Sequence, residues 1–180
     1  MKYTYYYESP LGILVMASDG TALKELDFCR ADVKAVQAVE KLPVFVETCR
    51  WLDSYFGGQV PDFVPPLSLD GTPFRQAVWE ILRTIPYGET VTYGEIAAQI
   101  ARAKGVEKMS AQAVGGAVGH NPIAIIVPCH RVMGKDGSLT GYAGGIWRKE
   151  WLLNLERKCR KENHHGYAGP LCGLPHLSPL

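Results

Sequence analysis

The sequence predicts an α/β protein in two parts: a small N-terminal domain of β-sheet and helix over residues 1–66, then a mostly helical domain over 70–160. Three observations predict it. Short β-rich runs separated by turn dipeptides fill the first thirty positions, and apolar residues at helical spacing dominate the second half. Between them lies a stretch dense in breakers, Gly57-Gly58 with Pro61, Pro65 and Pro66. At 180 residues the chain can bury a core of one or two small domains.

Residues 3–7, 12–17 and 22–28 read as strands, because aromatic and aliphatic side chains crowd them and Ser9-Pro10 and Ser18-Asp19-Gly20 turn the chain between. Residues 32–42 and 47–56 carry apolar side chains at helical spacing. Thr72-Pro73 is a helix start: Thr caps, and Pro loses nothing at the first helical position, where its missing N–H has no partner anyway. That helix runs to about Thr84 and is ended by Ile85-Pro86-Tyr87-Gly88. Thr92 and Glu95 have capping-box spacing for the next helix, which Gly105 breaks, and Ser110 caps a further helix over 111–118. Two short helices in succession, the second rich in Ala and Gly, suit a helix-turn-helix whose second helix comes close to DNA. Two packed core helices would give the same pattern.

The apolar run 123–127, with Pro on each side, reads as a buried strand that delivers the most reactive residues at its end. It is far too short to span a bilayer. Residues 148–160 read as a helix with Trp151, Leu152 and Leu155 on one face, and Gly and Pro recur from Asn163, so 161–180 is expected to be a disordered tail.

The five cysteines, Cys29, Cys49, Cys129, Cys159 and Cys172, are odd in number and irregularly spaced, which suits a reducing cytoplasm better than a disulfide framework. The N-terminus has no secretory pattern. Net charge is only +1, but residues 1–90 hold eight Lys and Arg against twelve Asp and Glu, and residues 91–180 hold eleven against six. A basic second half is consistent with nucleic-acid contact, although Arg157, Lys158, Arg160 and Lys161 supply much of the excess.

Pro128-Cys129-His130-Arg131 follows the apolar run directly. A thiol attacks only as thiolate, which needs a nearby base, cation or helix dipole. Neighbouring side chains on a regular strand point to opposite faces, so His130 serves Cys129 directly only where the chain turns; otherwise a water bridges them. A buried inert Cys after a strand is the plain alternative.

The surroundings go further. Asn121-Pro122, the run Ile125-Ile126-Val127-Pro128-Cys129-His130-Arg131-Val132, Gly141-Tyr142-Ala143-Gly144-Gly145 and Lys149-Glu150-Trp151-Leu152-Leu153 resemble, in order and spacing, the signature of the O6-alkylguanine-DNA alkyltransferases. The resemblance runs from about Thr72 to Glu156. It implies repair of alkylated double-stranded DNA by an irreversible, single-turnover transfer of the alkyl group to Cys129, with no cofactor, no membrane and no obligatory protein partner, so a monomer. It implies that His130, through a water and backed by Glu156, deprotonates Cys129, and that Tyr93 protonates the leaving guanine and rotates the phosphate outward. Asn121 would pin the turn between the recognition helix and the active-site strand; Tyr142 and Ala143 would line the pocket for the flipped base, and Val132 would offer it a backbone acceptor. The DNA-facing set would be Gln112, Tyr93, Gly94, Arg75 and Lys135. Arg131, read as a residue and apart from the resemblance, is expected to hold the loop instead of touching DNA.

Two features depart from that pattern. Gln112 stands where the family often has an Arg that fills the hole left by the flipped base, and residues 101–109 form a longer connection than in better-known members. Some members bind zinc in the N-terminal domain through Cys and His, but every His here lies at or after His120, so no metal site is expected. Cys159, His164, His165, Cys172 and His176 make a poor alternative set, because Gly and Pro interrupt them. Two other functions remain open to such a sequence: a lesion-binding module without transfer, against which Cys129 counts, and a helix-turn-helix regulator with a sensing Cys.

Overall fold

The structure is a computed structural model that describes residues 1–30 and 41–164. Alternation along the first segment produces a three-stranded antiparallel sheet in the order β1 (Tyr3–Ser9), β2 (Gly12–Ser18), β3 (Leu23–Phe28). Leu14 lies opposite Phe28 and Met16 opposite Leu26, so one face of the sheet is a fully apolar layer. Helix α1 (Pro43–Phe56) covers that layer with Phe45, Leu52 and Tyr55. It begins four positions before the expected 47, since Pro43 fits the first turn and Val44 and Phe45 extend the buried stripe. The helix expected over 32–42 lies outside the described residues, save Lys41 and Leu42; Leu42 is the N-cap of α1.

The second part begins as the sequence predicts. In α2 (Pro73–Arg83) the Thr72 hydroxyl accepts from Arg75 N at 3.3 Å. After β4 (Val91–Thr92), α3 (Tyr93–Lys104) opens on a complete capping box, with Thr92 N donating to Glu95 Oε2 at 2.6 Å and Glu95 N donating to Thr92 Oγ1 at 3.2 Å. Gly105 closes α3, and Ser110 caps α4 (Ala111–Gly119). Trp79 is buried, and its indole N–H donates to the Ala117 carbonyl at 2.9 Å, which clamps α4 onto α2.

One expected element is absent. Residues 123–127 do not form a strand: Ile123 makes a single bridge to Leu26, and Ile125 has a φ of 69°, which no strand accommodates. The strand near the reactive residues comes after them, β5 (Val132–Met133), parallel to β4. Helix α5 (Ile146–His164) then runs past the expected 148–160 at both ends. It takes in residues 161–164 of the expected tail, and the rest of that tail lies outside the described residues. Among the described residues no helix is long and apolar enough to cross a membrane.

The edge of β3 joins the two parts. Leu23 bridges Leu67, while Leu26 N donates to Pro122 O at 2.9 Å and Leu26 O accepts from Ala124 N at 2.8 Å. The N-terminal sheet therefore holds the turn that leads to Cys129.

Candidate active site

Two tight turns aim Cys129. Ile126 N bonds the Ala124 carbonyl at 2.8 Å across Ile125, a γ-turn with positive φ. Cys129 N bonds the Val127 carbonyl at 2.8 Å across Pro128, whose φ of −83° and ψ of 64° make the inverse form. A buried β-branched residue at positive φ costs about 1–3 kcal/mol and persists only where its surroundings fix it. Asn121 does the fixing: its Nδ2 donates to Val127 O at 2.7 Å and its Oδ1 accepts from Ile123 N at 3.0 Å. The turn expected of Asn121 lies between the recognition helix and a strand; its two bonds instead bracket the segment 123–127 that stands in that strand's place.

Cys129, His130 and Arg131 then form one 3-10 turn, all buried. His130 Nε2 meets Glu156 Oε1 at 2.7 Å, and Tyr55 Oη donates to the same oxygen at 2.7 Å. Arg131 grips the carboxylate twice, Nε to Oε2 at 2.9 Å and Nη2 to Oε1 at 3.0 Å, and donates through Nη1 to Ile85 O at 2.7 Å. Gly88 N adds a bond to Oε2 at 3.1 Å; with φ at 76° and Glu156's own backbone carbonyl 3.3 Å from where a Cβ would stand, that position needs Gly. Burial alone would raise the Glu156 pKa, but His130 and Arg131 hold the carboxyl well below the usual carboxylate range. Burial, helped by Arg131 and Lys149, pushes His130 below its ordinary value against the pull of Glu156. The imidazole is neutral, and because Glu156 accepts only from an N–H, the proton sits on Nε2. Its other nitrogen, Nδ1, is buried without a protein partner and is free to accept a proton. Burial likewise pushes the Cys129 thiol up, opposed by Asn121 and by the charge of Lys149. At rest the sulfur is a thiol that must be deprotonated as it reacts.

Cys129 lines a cavity of about 190 Å³ together with Asn121, Tyr142, Ala143, Asp27 and Arg30. Gly144 lets the loop over it close: a Cβ there would stand 2.8 Å from Phe28 and 2.9 Å from Tyr142. Beside it opens a groove of about 850 Å³ whose lining includes Tyr93, Gly94, Gln112, Gly115, Lys135 and Gly141. The two share Gly141, and the Tyr93 hydroxyl, which donates to Thr140 O at 3.2 Å, lies 3.5 Å from where a Gly141 Cβ would stand. Burial raises the Tyr93 phenol. Four of the five DNA-facing candidates thus share one groove; Arg75, near the start of α2, does not line it. The Val132 carbonyl already accepts from Lys149 Nζ, which leaves it one lone pair. Arg131 is committed inside the protein, as expected of a loop-holding residue.

Two participants carry no role in the sequence reading. Lys149 is 1 % exposed, and its ammonium joins the carbonyls of Val132 and Thr140, clipping the ends of the segment between β5 and the cavity loop. A signal was present: Lys149, Leu152, Leu153 and Glu156 fall on one helical face, so both charges sit on the apolar stripe. Tyr55 gives no such signal, because an aromatic residue on the buried face of α1 reads as packing. Among the described residues no group of His, Cys, Asp and Glu could hold a metal ion.

Comparison with known proteins matches both parts of the chain. The family profile described as 6-O-methylguanine DNA methyltransferase, DNA binding domain, matches residues 73–158, and the one described as its ribonuclease-like domain matches residues 1–69. The methylated-DNA–protein-cysteine methyltransferase of Haemophilus influenzae is 46% identical over 159 residues, 86% of each chain. That of Methanosarcina acetivorans is 46% identical over 160 residues, 86% of this chain and 99% of its own. A crystal structure of Mycobacterium tuberculosis OGT in complex with DNA superposes with a TM-score of 0.73 at 46% identity, covering 86% of this chain and 92% of that one. The chain belongs to the 6-O-methylguanine DNA methyltransferase family.

Proposed function

We propose that this chain repairs DNA by moving the alkyl group of an O6-alkylguanine onto Cys129, one event per molecule. The observation that carries the reading is that Cys129 lines a cavity beside the groove of Tyr93 and Gln112, on the same turn as a neutral His130 clamped from behind by buried Glu156. A base inside a duplex cannot reach such a cavity, so it must leave the stack, at a cost of a few kcal/mol. The groove takes the duplex: small residues of α4 admit the backbone, and Gln112 fills the space the base leaves.

These groups suit an in-line alkyl transfer. A bridging water carries the Cys129 proton to His130 Nδ1, and Glu156 steadies the imidazolium that forms. Sulfur attacks the alkyl carbon, the S–C bond forms, the C–O bond breaks, and the electron pair leaves on guanine O6. Tyr93 gives its phenolic proton to the departing guanine and is reprotonated from the imidazolium through solvent, so the balance is thiol plus alkylguanine to thioether plus guanine. A thioether has no easy leaving group, and the protein is spent. Cys129, His130, Glu156 and Tyr93 all come from one chain, which supports a monomer acting without a cofactor. None of the four cysteines among the described residues, Cys29, Cys49, Cys129 and Cys159, is in a disulfide, which suits the reducing cytoplasm.

Counting turnovers tests the proposal. With excess O6-methylguanine duplex, wild type restores one guanine per protein and stops, while Cys129→Ala restores none and still binds the lesion. Continued turnover by wild type, or transfer by Cys129→Ala, sinks the assignment.

A further inference from the structure

Glu156 Oε1 is shared three ways. It accepts from His130 Nε2 at 2.7 Å, from Tyr55 Oη at 2.7 Å and from Arg131 Nη2 at 3.0 Å. Tyr55 reaches it from α1, 101 positions away in sequence. Its ring cannot swing: it stacks on Trp51, meets Phe56 and Tyr87 edge-on, and packs against the His130 imidazole. The hydroxyl also lies 3.4 Å from His130 Nε2. Burial, with Glu156 adding to it, keeps the phenol protonated well above its ordinary value of 10.0, so it remains a donor wherever His130 titrates.

We propose that Tyr55 is a positioning residue that trims the basicity of His130 through Glu156, so that the N-terminal sheet-and-helix part sets the pH range of the chemistry. An imidazolium is stabilised by the negative charge facing its Nε2–H. Every other donor on that oxygen withdraws part of the charge and weakens the stabilisation. The remaining charged or titratable groups around His130 are Arg131 on its own turn, Lys149 and Glu156 on α5, Cys129 beside it, and Tyr87 behind Tyr55 and Arg131. Arg131 and Lys149 push in the same direction as Tyr55, against Glu156 alone. The consequence is a base that stays neutral, with Nδ1 open, to lower pH than a freely paired His–Glu couple would allow. Its importance for repair rests on Cys129 being the alkyl acceptor; its test does not.

Tyr55→Phe keeps the ring and removes only the donor. The measurement is the rate of Cys129 modification by iodoacetamide in the full chain against pH, read on the Cys129 peptide by mass spectrometry, beside transfer from an O6-methylguanine duplex. The acid limb should move up by about half to one pH unit, the size one hydrogen bond to a carboxylate carries, with no fall in the plateau. Placing 3-fluorotyrosine at 55, a stronger donor of nearly the same shape, should move the limb down. Tyr87→Phe, which trims a hydroxyl of the same aromatic cluster that makes no hydrogen bond to Glu156, should leave it in place. An unmoved midpoint in both Tyr55 variants, with or without a lower plateau, overturns the proposal, and so does an equal shift in Tyr87→Phe. Failure of the wild type to accept a methyl group from the duplex would instead strike the alkyl-acceptor reading and leave the iodoacetamide result standing.

Discussion

The surroundings of Glu156 and the groove beside Tyr93 are built on opposite plans. Glu156 takes five hydrogen bonds from Tyr55, Gly88, His130 and Arg131, and is fully buried. The groove is open, lined by Gly94, Ala98, Ala111 and Gly115, with Gln112 and Lys135 exposed. The first region is finished before any substrate arrives; the second acquires its contacts only from DNA. Changes in the relay should therefore register as stability and pH dependence, and changes in the groove as salt dependence and affinity.

The largest effect expected is from Glu156→Ala. It strands Arg131 and Tyr55 in the interior, and removing one partner of a buried ion pair costs about 3–5 kcal/mol. Urea unfolding at neutral pH measures it. A loss under about 1 kcal/mol would mean that the relay is not part of the fold's support, and the contrast between the two regions would collapse.

Lys149→Met comes next. It keeps the buried stem and deletes two charge-assisted bonds to carbonyls, each contributing about 1.5–3 kcal/mol, partly recovered because the desolvated charge goes too. About 2 kcal/mol of stability should be lost. The Cys129 thiol should also become harder to deprotonate, because the nearby positive charge is gone. A thiol reactivity profile unmoved along the pH axis would show that Lys149 acts only as a clip.

Titration sharpens the comparison without mutation. His130 has a folded pKa below its ordinary 6.5, so the unfolded chain binds the extra proton first and stability falls as pH drops below about 6.5. Glu156 has a folded pKa below its ordinary 4.5, so its contribution, present above that value, is lost as pH falls further through the acid range. Both slopes have the same sign. Denaturant midpoints should decline in two stages on acidification, and Glu156→Gln should erase the second. Rising stability between pH 6.5 and 5 would contradict the buried neutral imidazole.

The groove should show the smallest stability effects. Gln112→Ala and Gln112→Arg should each stay within about 0.5 kcal/mol of wild type, as exposed positions do. Gln112→Ala should slow repair in duplex DNA and barely touch reaction with free O6-benzylguanine, which needs no flipping. Gln112→Arg should tighten DNA binding and steepen its salt dependence by about one phosphate equivalent. Equal losses of Gln112→Ala on duplex and free base would place Gln112 in the pocket's support instead.

What the sequence disclosed follows the same division. Local rules announced the caps at Thr72, Thr92 and Ser110 and the break at Gly105, because each depends on residues within one helical turn. The run 123–127 misled because its composition is that of a strand, while its shape is dictated from a distance by Asn121 and the β3 edge. Motif resemblance picked out Cys129, His130 and Glu156, and the fold gathers His130 and Glu156 into one buried cluster beside Cys129. It was silent on Tyr55, since a hydroxyl at the end of a packed ring becomes meaningful only once the carboxylate it meets has a position.

The most direct measurement is the location of the methyl group. After reaction with excess O6-methylguanine duplex, the protein is digested and all five cysteine peptides are compared by mass spectrometry. The account predicts one methyl, on the Cys129 peptide, with those of Cys29, Cys49, Cys159 and Cys172 unchanged. Methyl on any other cysteine, or spread among several, would contradict it, for then neither the turn that aims Cys129 nor the relay behind it selects the acceptor.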